Sequence, residues 1–214
     1  SAVLEHSMNA MGAFVQDEIE LDKLSFLAAV RIDKVENIKT VITPKLAVMS
    51  QVHEKLRLRA SFGRGFHAPT VQELYEEGYG HGGRAYRFGN PDLQPEYSLT
   101  STVSVEYEPV NDIQLLVHAY YNTITDMITP IYSGIWEENP DTTTVIDKWV
   151  RTNIHGAKIY GIETTLRFRL NEKLLLEGGY NYADNQNSTT GGQLPYYPGE
   201  SFFSKIVYNQ KLSL

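Results

Sequence analysis

From Gly161 to Leu170 the chain alternates: Ile162, Thr164, Leu166, Phe168 and Leu170 fall on one side of an extended strand, and Glu163, Thr165, Arg167 and Arg169 on the other. After Asn171-Glu172-Lys173 the alternation resumes, and it carries Tyr180 and Tyr182 on the apolar side, far from that turn. One face suits lipid and the other water, and tyrosines near a strand end suit an interfacial girdle. Comparable stretches predict strands at roughly 10–21, 24–33, 40–52, 55–66, 98–109, 112–122, 157–170, 173–184 and 200–208, with a stub from 211.

The connections sort by length. Asp22-Lys23, His53-Glu54, Val110-Asn111, Asn171-Glu172 and Asn209-Gln210 are short, whereas residues around 34–39, 67–97, 123–156 and 185–199 form the longer links. Short and long links alternate, which predicts an all-β, antiparallel up-and-down transmembrane barrel with short periplasmic turns and long extracellular loops. The bland alternative is a soluble antiparallel β-protein with one core face and one solvated face. It would be a ligand- or glycan-binding module, using Trp136, Trp149 and the loop tyrosines.

Composition changes this picture little. The chain has 214 residues, of which 42% are hydrophobic and 21% charged, and these figures alone would pass for a globular domain. No apolar run of about 18 residues exists, which excludes a spanning helix but not spanning strands. The net charge of −7, without a basic stripe, points away from nucleic acid as a partner. The absence of cysteine removes disulfides and thiolate metal sites. Ser1 to His6 carry no leader-like pattern, so a leader is expected to have been removed or the chain to start in mid-protein. No nucleophile elbow, zincin, Walker or calcium-loop motif occurs, so no catalytic residues, metal site or cofactor are expected and the chain is not read as an enzyme.

Two boxes point to a family. Phe62-Gly63-Arg64-Gly65-Phe66-His67-Ala68-Pro69-Thr70 and, later, Gly89-Asn90-Pro91-Asp92-Leu93-Gln94-Pro95-Glu96 resemble the strand-exit and strand-entry boxes of TonB-dependent outer-membrane receptors. Gly12 to Glu18, Ala119 to Ile128 and Ile159 to Glu163 are similar to further segments of that barrel, in the right order. The resemblance implies residence in the bacterial outer membrane, in contact with its bilayer. It also implies uptake of a small-molecule metal chelate such as a ferric siderophore, energised through TonB by way of a plug region. Residues 1–214 would be part of the barrel domain, because such barrels have about 22 strands around a plug. The plug, the N-terminal strands and the last strands are expected to lie outside these residues, and a piece with two open edges is expected to aggregate, pair with another copy or curl into a smaller closed structure.

Two groups of side chains are candidates. Arg57, Arg59, Glu106, Glu108, Glu163, Arg167 and Arg169 are expected to face the lumen, the first four meeting across neighbouring strands near the short-turn end. His67, His81, Arg84, Tyr86 and Arg87 lie between or beside the two boxes, where cationic and aromatic groups suit an anionic, partly aromatic chelate. By resemblance to haem-uptake members, His81 also raises a lesser alternative, haem, whose iron imidazole binds well. For the prolines of both boxes the structural role of stopping and restarting a ladder is the simpler reading.

Overall fold

In a computed structural model, residues 6–80, 84–139, 144–194 and 199–208 are described. The elements are β1 (Ala10–Leu21), β2 (Leu24–Val35), β3 (Val41–His53), β4 (Leu56–His67), α1 (Val71–Tyr75), β5 (Glu77–Gly80), β6 (Ala85–Phe88), β7 (Glu96–Val110), β8 (Ile113–Asn139), β9 (Thr144–Arg169), β10 (Leu174–Asn187) and β11 (Glu200–Tyr208). Nine strands form one antiparallel path, β1-β2-β3-β4-β7-β8-β9-β10-β11, and β1 and β11 end it without pairing with each other. The sheet is an unclosed piece of a barrel. The expected stub from 211 lies outside the described residues.

Register fixes the two faces. One row runs Asp17, Ala28, Leu46, Phe62, Ser101, Tyr121, Tyr160 and Asp184 across eight strands, and the rows beside it on that face carry Phe26, Val103, Ile162 and Leu166. The opposite face carries Arg57, Glu106, Gln114, Arg167 and Glu177. The apolar face is uncovered: Leu46 is 59% exposed, Val103 55% and Leu166 48%. A soluble sandwich or barrel would bury such a face, so its exposure argues for lipid rather than water as neighbour.

Aromatics bound the apolar band. On β7, Tyr97 and Tyr107 stand at the two ends of the same face, ten residues apart. At about 3.4 Å per residue and a tilt of about 40°, that is roughly 26 Å of height, the thickness of an outer-membrane apolar band. Tyr121, Tyr160, Tyr182 and Phe202 continue the girdle on the long-connection side, stepping down the ladder from strand to strand as tilted strands require.

Two expectations need correcting. The link at 123–156 is not a loop, since β8 and β9 run on past the girdle as a paired ribbon to Asn139 and Thr144. β-branched residues such as Ile124, Thr129, Ile131, Val145 and Ile154 favour that extension. Its period is hidden by left-handed backbone at Asp126 (φ 55°), Gly134 (φ 102°) and Gly156 (φ 131°). A Cβ on Gly156 would collide with the Ile124 carbonyl, so glycine is required there. The 67–97 link is likewise ordered by α1 and by the β5–β6 hairpin, whose β6 pairs in parallel with β9, Ala85 opposite Asp147 and Phe88 opposite Val150. Among the described residues, the few buried apolar side chains, including Val35, Val41, Leu93, Ile128, Ala157 and Ile159, gather at this long-connection end.

Candidate binding lobe and polar belt

Beyond the girdle, the first box delivers the chain to the lobe. His67 closes β4, Pro69 is fully buried, and Thr70 caps α1 in a reciprocal box: the Glu73 amide donates to Thr70 Oγ1 at 3.2 Å, and the Thr70 amide to Glu73 Oε2 at 2.9 Å. His67 Nε2 lies 3.2 Å from the same Glu73 oxygen. Partial burial pushes the Glu73 carboxyl up, but the Thr70 and His67 hydrogen bonds together outweigh it and hold the group below its ordinary value. His67 is thereby engaged at the base of α1.

The second box is an Asx turn. The Asp92 amide donates to Asn90 Oδ1 at 2.9 Å and the Leu93 amide to the Asn90 carbonyl at 3.3 Å, and Leu93 is buried. Gly89 passes so close to the backbone of Leu74 and Tyr75 that a Cβ would sit 2.6 Å away. Asn153 of β9 then clasps the exit: it accepts from the Gln94 amide at 2.8 Å and donates to the Gln94 carbonyl at 2.9 Å and the Asp126 carbonyl at 2.6 Å.

Arg84, Tyr86 and Arg87 reach the lobe through the β5–β6 hairpin. Tyr86 meets Tyr79 edge-on at 4.7 Å and Phe88 at 5.0 Å, and Lys148 Nζ stands 5.2 Å above the Phe88 ring. On β8 and β9, Tyr132 packs edge-on against Trp149 at 5.9 Å. Loss of hydration, followed by nearby Glu77, pushes the Tyr86 phenol up, so it stays a neutral donor around pH 7. Arg84 is exposed, and its carbonyl accepts from the Asp147 amide at 3.1 Å. His81 and the side chain of Trp136 lie outside the described residues.

Sequence reasoning missed Glu76. Its carboxylate lies 3.8 Å from Arg87 and 3.6 Å from Arg151, and Oε2 is buried without a hydrogen bond. It joins β6 to β9 electrostatically, a link between residues far apart in sequence with no local motif to announce it.

On the polar face near the short turns, side chains form a belt from β3 to β10. Arg57 Nε donates to Gln51 at 3.0 Å, and both Arg57 (3.0 Å) and Arg59 (2.8 Å) reach Glu106 Oε2. Gln114 donates to Glu106 at 3.0 Å and to Glu108 at 2.9 Å, and Arg167 spans from Gln114 at 3.1 Å to Glu177 at 2.9 Å. Arg169 joins Arg167, Glu108 and Glu177 around a polar cavity of about 500 Å³. Glu163 stands apart, exposed between His118 and Asn181 in register. Gln114 and Glu177 complete the belt without having been anticipated. The period-2 pattern places both on this face.

A family model for TonB dependent receptor-like β-barrels matches residues 5–211. The chain is 26% identical over 188 residues to an iron-regulated outer membrane virulence protein of Vibrio cholerae, covering 86% of this chain and 29% of that protein. It is 25% identical over 206 residues to the ferric enterobactin receptor of Pseudomonas aeruginosa, covering 90% and 27%. The siderophore receptor PirA of Acinetobacter baumannii shares the fold, with a TM-score of 0.75 at 18% identity over 95% of this chain and 32% of that one. The chain spans less than a third of the length of the curated relatives it matches.

Proposed function

Because the chain belongs to the β-barrel of the TonB-dependent receptors, we propose that residues 1–214 are one part of the barrel of a parent receptor. That receptor captures an anionic metal chelate of the ferric siderophore class at the long-connection end and takes it up with energy from TonB. The observation that carries the reading is the lobe beyond the girdle, where the β5–β6 hairpin and its parallel partner β9 gather Tyr79, Tyr86, Phe88 and Trp149 with Arg84, Arg87 and Lys148. Rings stack on catechol-like groups, and cations pair with the negative charge of a ferric chelate. The name of one relative, a ferric enterobactin receptor, agrees with that chemistry. The family consists of receptors and transporters, not enzymes.

The belt of Arg57, Arg59, Glu106, Glu108, Arg167 and Arg169, with Glu163 above it, belongs in this reading to the lumen wall that a plug would face. The test uses the parent receptor in cells starved of iron. Accumulation of a labelled ferric catecholate should require both the receptor and TonB, and Arg87→Ala combined with Lys148→Ala should lower its binding at least tenfold. Uptake that persists without TonB, or binding indifferent to both substitutions, would overturn the proposal.

A further inference from the structure

The lobe brings two guanidiniums to one carboxylate. β6 and β9 run parallel with Arg87 beside Trp149, and Arg151 follows two residues along β9, so both arginines and Trp149 share one face of this small sheet. Tyr132 of β8 lies opposite Trp149 and joins that face, edge-on to its ring at 5.9 Å. Tyr86 and Phe88, in register with Lys148 and Val150, occupy the reverse face. Glu76 reaches the arginines from the end of α1: its Oε1 stands 3.8 Å from Arg87 and its Oε2 3.6 Å from Arg151. The Glu76 side chain is 16% exposed, against 35% for Arg87 and 21% for Arg151, so the guanidiniums are the more open part of the trio.

As a strut the arrangement is poor. Both separations exceed the length of a charge-assisted hydrogen bond, and Oε2 is buried without any hydrogen bond. A partly buried ion pair without hydrogen bonds recovers little of its desolvation cost, so stability alone does not account for this one. The backbone of Glu76 is also held in place. Its amide donates to the Gln72 carbonyl at 2.8 Å, and its carbonyl accepts at 2.6 Å from the amide of Gly89, where a Cβ would collide with Leu74 and Tyr75. The carboxylate therefore stays at a distance where it lowers the local positive charge without taking hydrogen bonds from either guanidinium.

We propose that Arg87 and Arg151 form an anion subsite of the lobe and that Glu76 is its built-in counter-charge, which sets how strongly the subsite selects a ligand by negative charge. A catecholate or carboxylate oxygen between the two guanidiniums makes the short charge-assisted hydrogen bonds that Glu76 does not reach, with the Trp149 and Tyr132 rings at its side. Two cations and one carboxylate leave a single positive charge. A ligand is held there in proportion to its own negative charge, and removing the carboxylate strengthens that hold. The choice of a chelate as ligand rests on the function proposed above, whereas the subsite itself does not.

The test uses the parent receptor in detergent. Quenching of Trp149 fluorescence, read as the difference from the Trp149→Phe receptor, is measured with iodide as the anionic probe and acrylamide as the neutral one, at constant ionic strength. Glu76→Gln keeps the shape and removes the charge, so iodide quenching should rise about twofold while acrylamide quenching stays level. Adding Arg151→Gln should return iodide quenching to the wild-type level or below. Binding of a trianionic ferric tris-catecholate should tighten about fivefold in Glu76→Gln, and that of an uncharged ferric tris-hydroxamate should not change. If iodide behaves as expected but no form of the receptor binds the tris-catecholate, the function proposed above falls and the subsite stands. Iodide quenching unmoved by Glu76→Gln, or a rise matched by acrylamide as the loss of a mere strut would produce, overturns the subsite. A tris-catecholate bound no more tightly by Glu76→Gln than by the wild type overturns its role in selection.

Discussion

Asn153 makes three hydrogen bonds to the backbone at 94 and 126, where a strand would make ladder bonds. Asn153→Leu keeps the size and removes all three, leaving the Gln94 amide and two carbonyls to find water. All three bonds lie where water can reach the freed groups, so each contributes at most about 0.5–1.5 kcal/mol net, and the loss should lie toward the low end of that range. It should appear as faster amide exchange over residues 84–95 of the parent receptor, with the barrel strands unaffected. Glu73 gives a prediction with a sign. Its carboxyl titrates lower in the folded protein than when free, so its capping contribution is complete above the ordinary carboxylate range and disappears as pH falls through the lowered value. Protection of the α1 amides relative to their intrinsic exchange rate should therefore fall on acidification below that range, and Glu73→Gln should remove this pH dependence.

At the scale of elements, Gly156 decides whether β8 and β9 can pair beyond the girdle. Gly156→Ala forces a side chain into left-handed backbone against the Ile124 carbonyl, costing on the order of 1–3 kcal/mol. A lowered urea midpoint for the parent receptor would register it. The spanning parts of these strands were legible because a half-buried strand obeys a period of two, and the same period placed Arg57, Arg59 and Glu106 on one face and one level. What was illegible has a common cause. The extension of β8 and β9 carries Pro130, Gly134 and two left-handed kinks that interrupt the period. Glu76, Arg151 and Asn153 act through contacts with residues far along the chain, which no local spacing encodes. The belt is a modest contributor: Arg57 and Arg59 remain about 36% and 41% exposed beside a Glu106 only 16% exposed. A double-mutant cycle on Arg57 and Glu106 should return a coupling of about 1 kcal/mol or less.

For the whole molecule, the open ends of the sheet dominate. β1 is exposed along its entire length, with Met11, Phe14 and Val15 each more than 60% exposed, and β11 ends the other side with Phe202 and Ile206 above 70%. These edges present unpaired backbone and apolar side chains together, so the 214-residue piece alone should associate or require detergent. Sedimentation in buffer without detergent should give species larger than 24.2 kDa, and a stable aqueous monomer would contradict this. Outer-membrane residence, the expectation from alternation and the boxes alike, is carried by the family and by the bare apolar face.

The parallel pairing of β6 with β9 also has a kinetic meaning. Among the described residues, the other pairings join neighbours along the path or the two strands of the β5–β6 hairpin and can zip from a turn or a neighbouring edge, whereas Ala85 must wait for Asp147, 62 residues later. Closing so long a loop costs chain entropy before it returns any contact, so the lobe is assembled last and opens first. The lobe proposed to meet the ligand is then the least cooperative part of the fold, able to loosen and reseat while the strands beneath it stay paired.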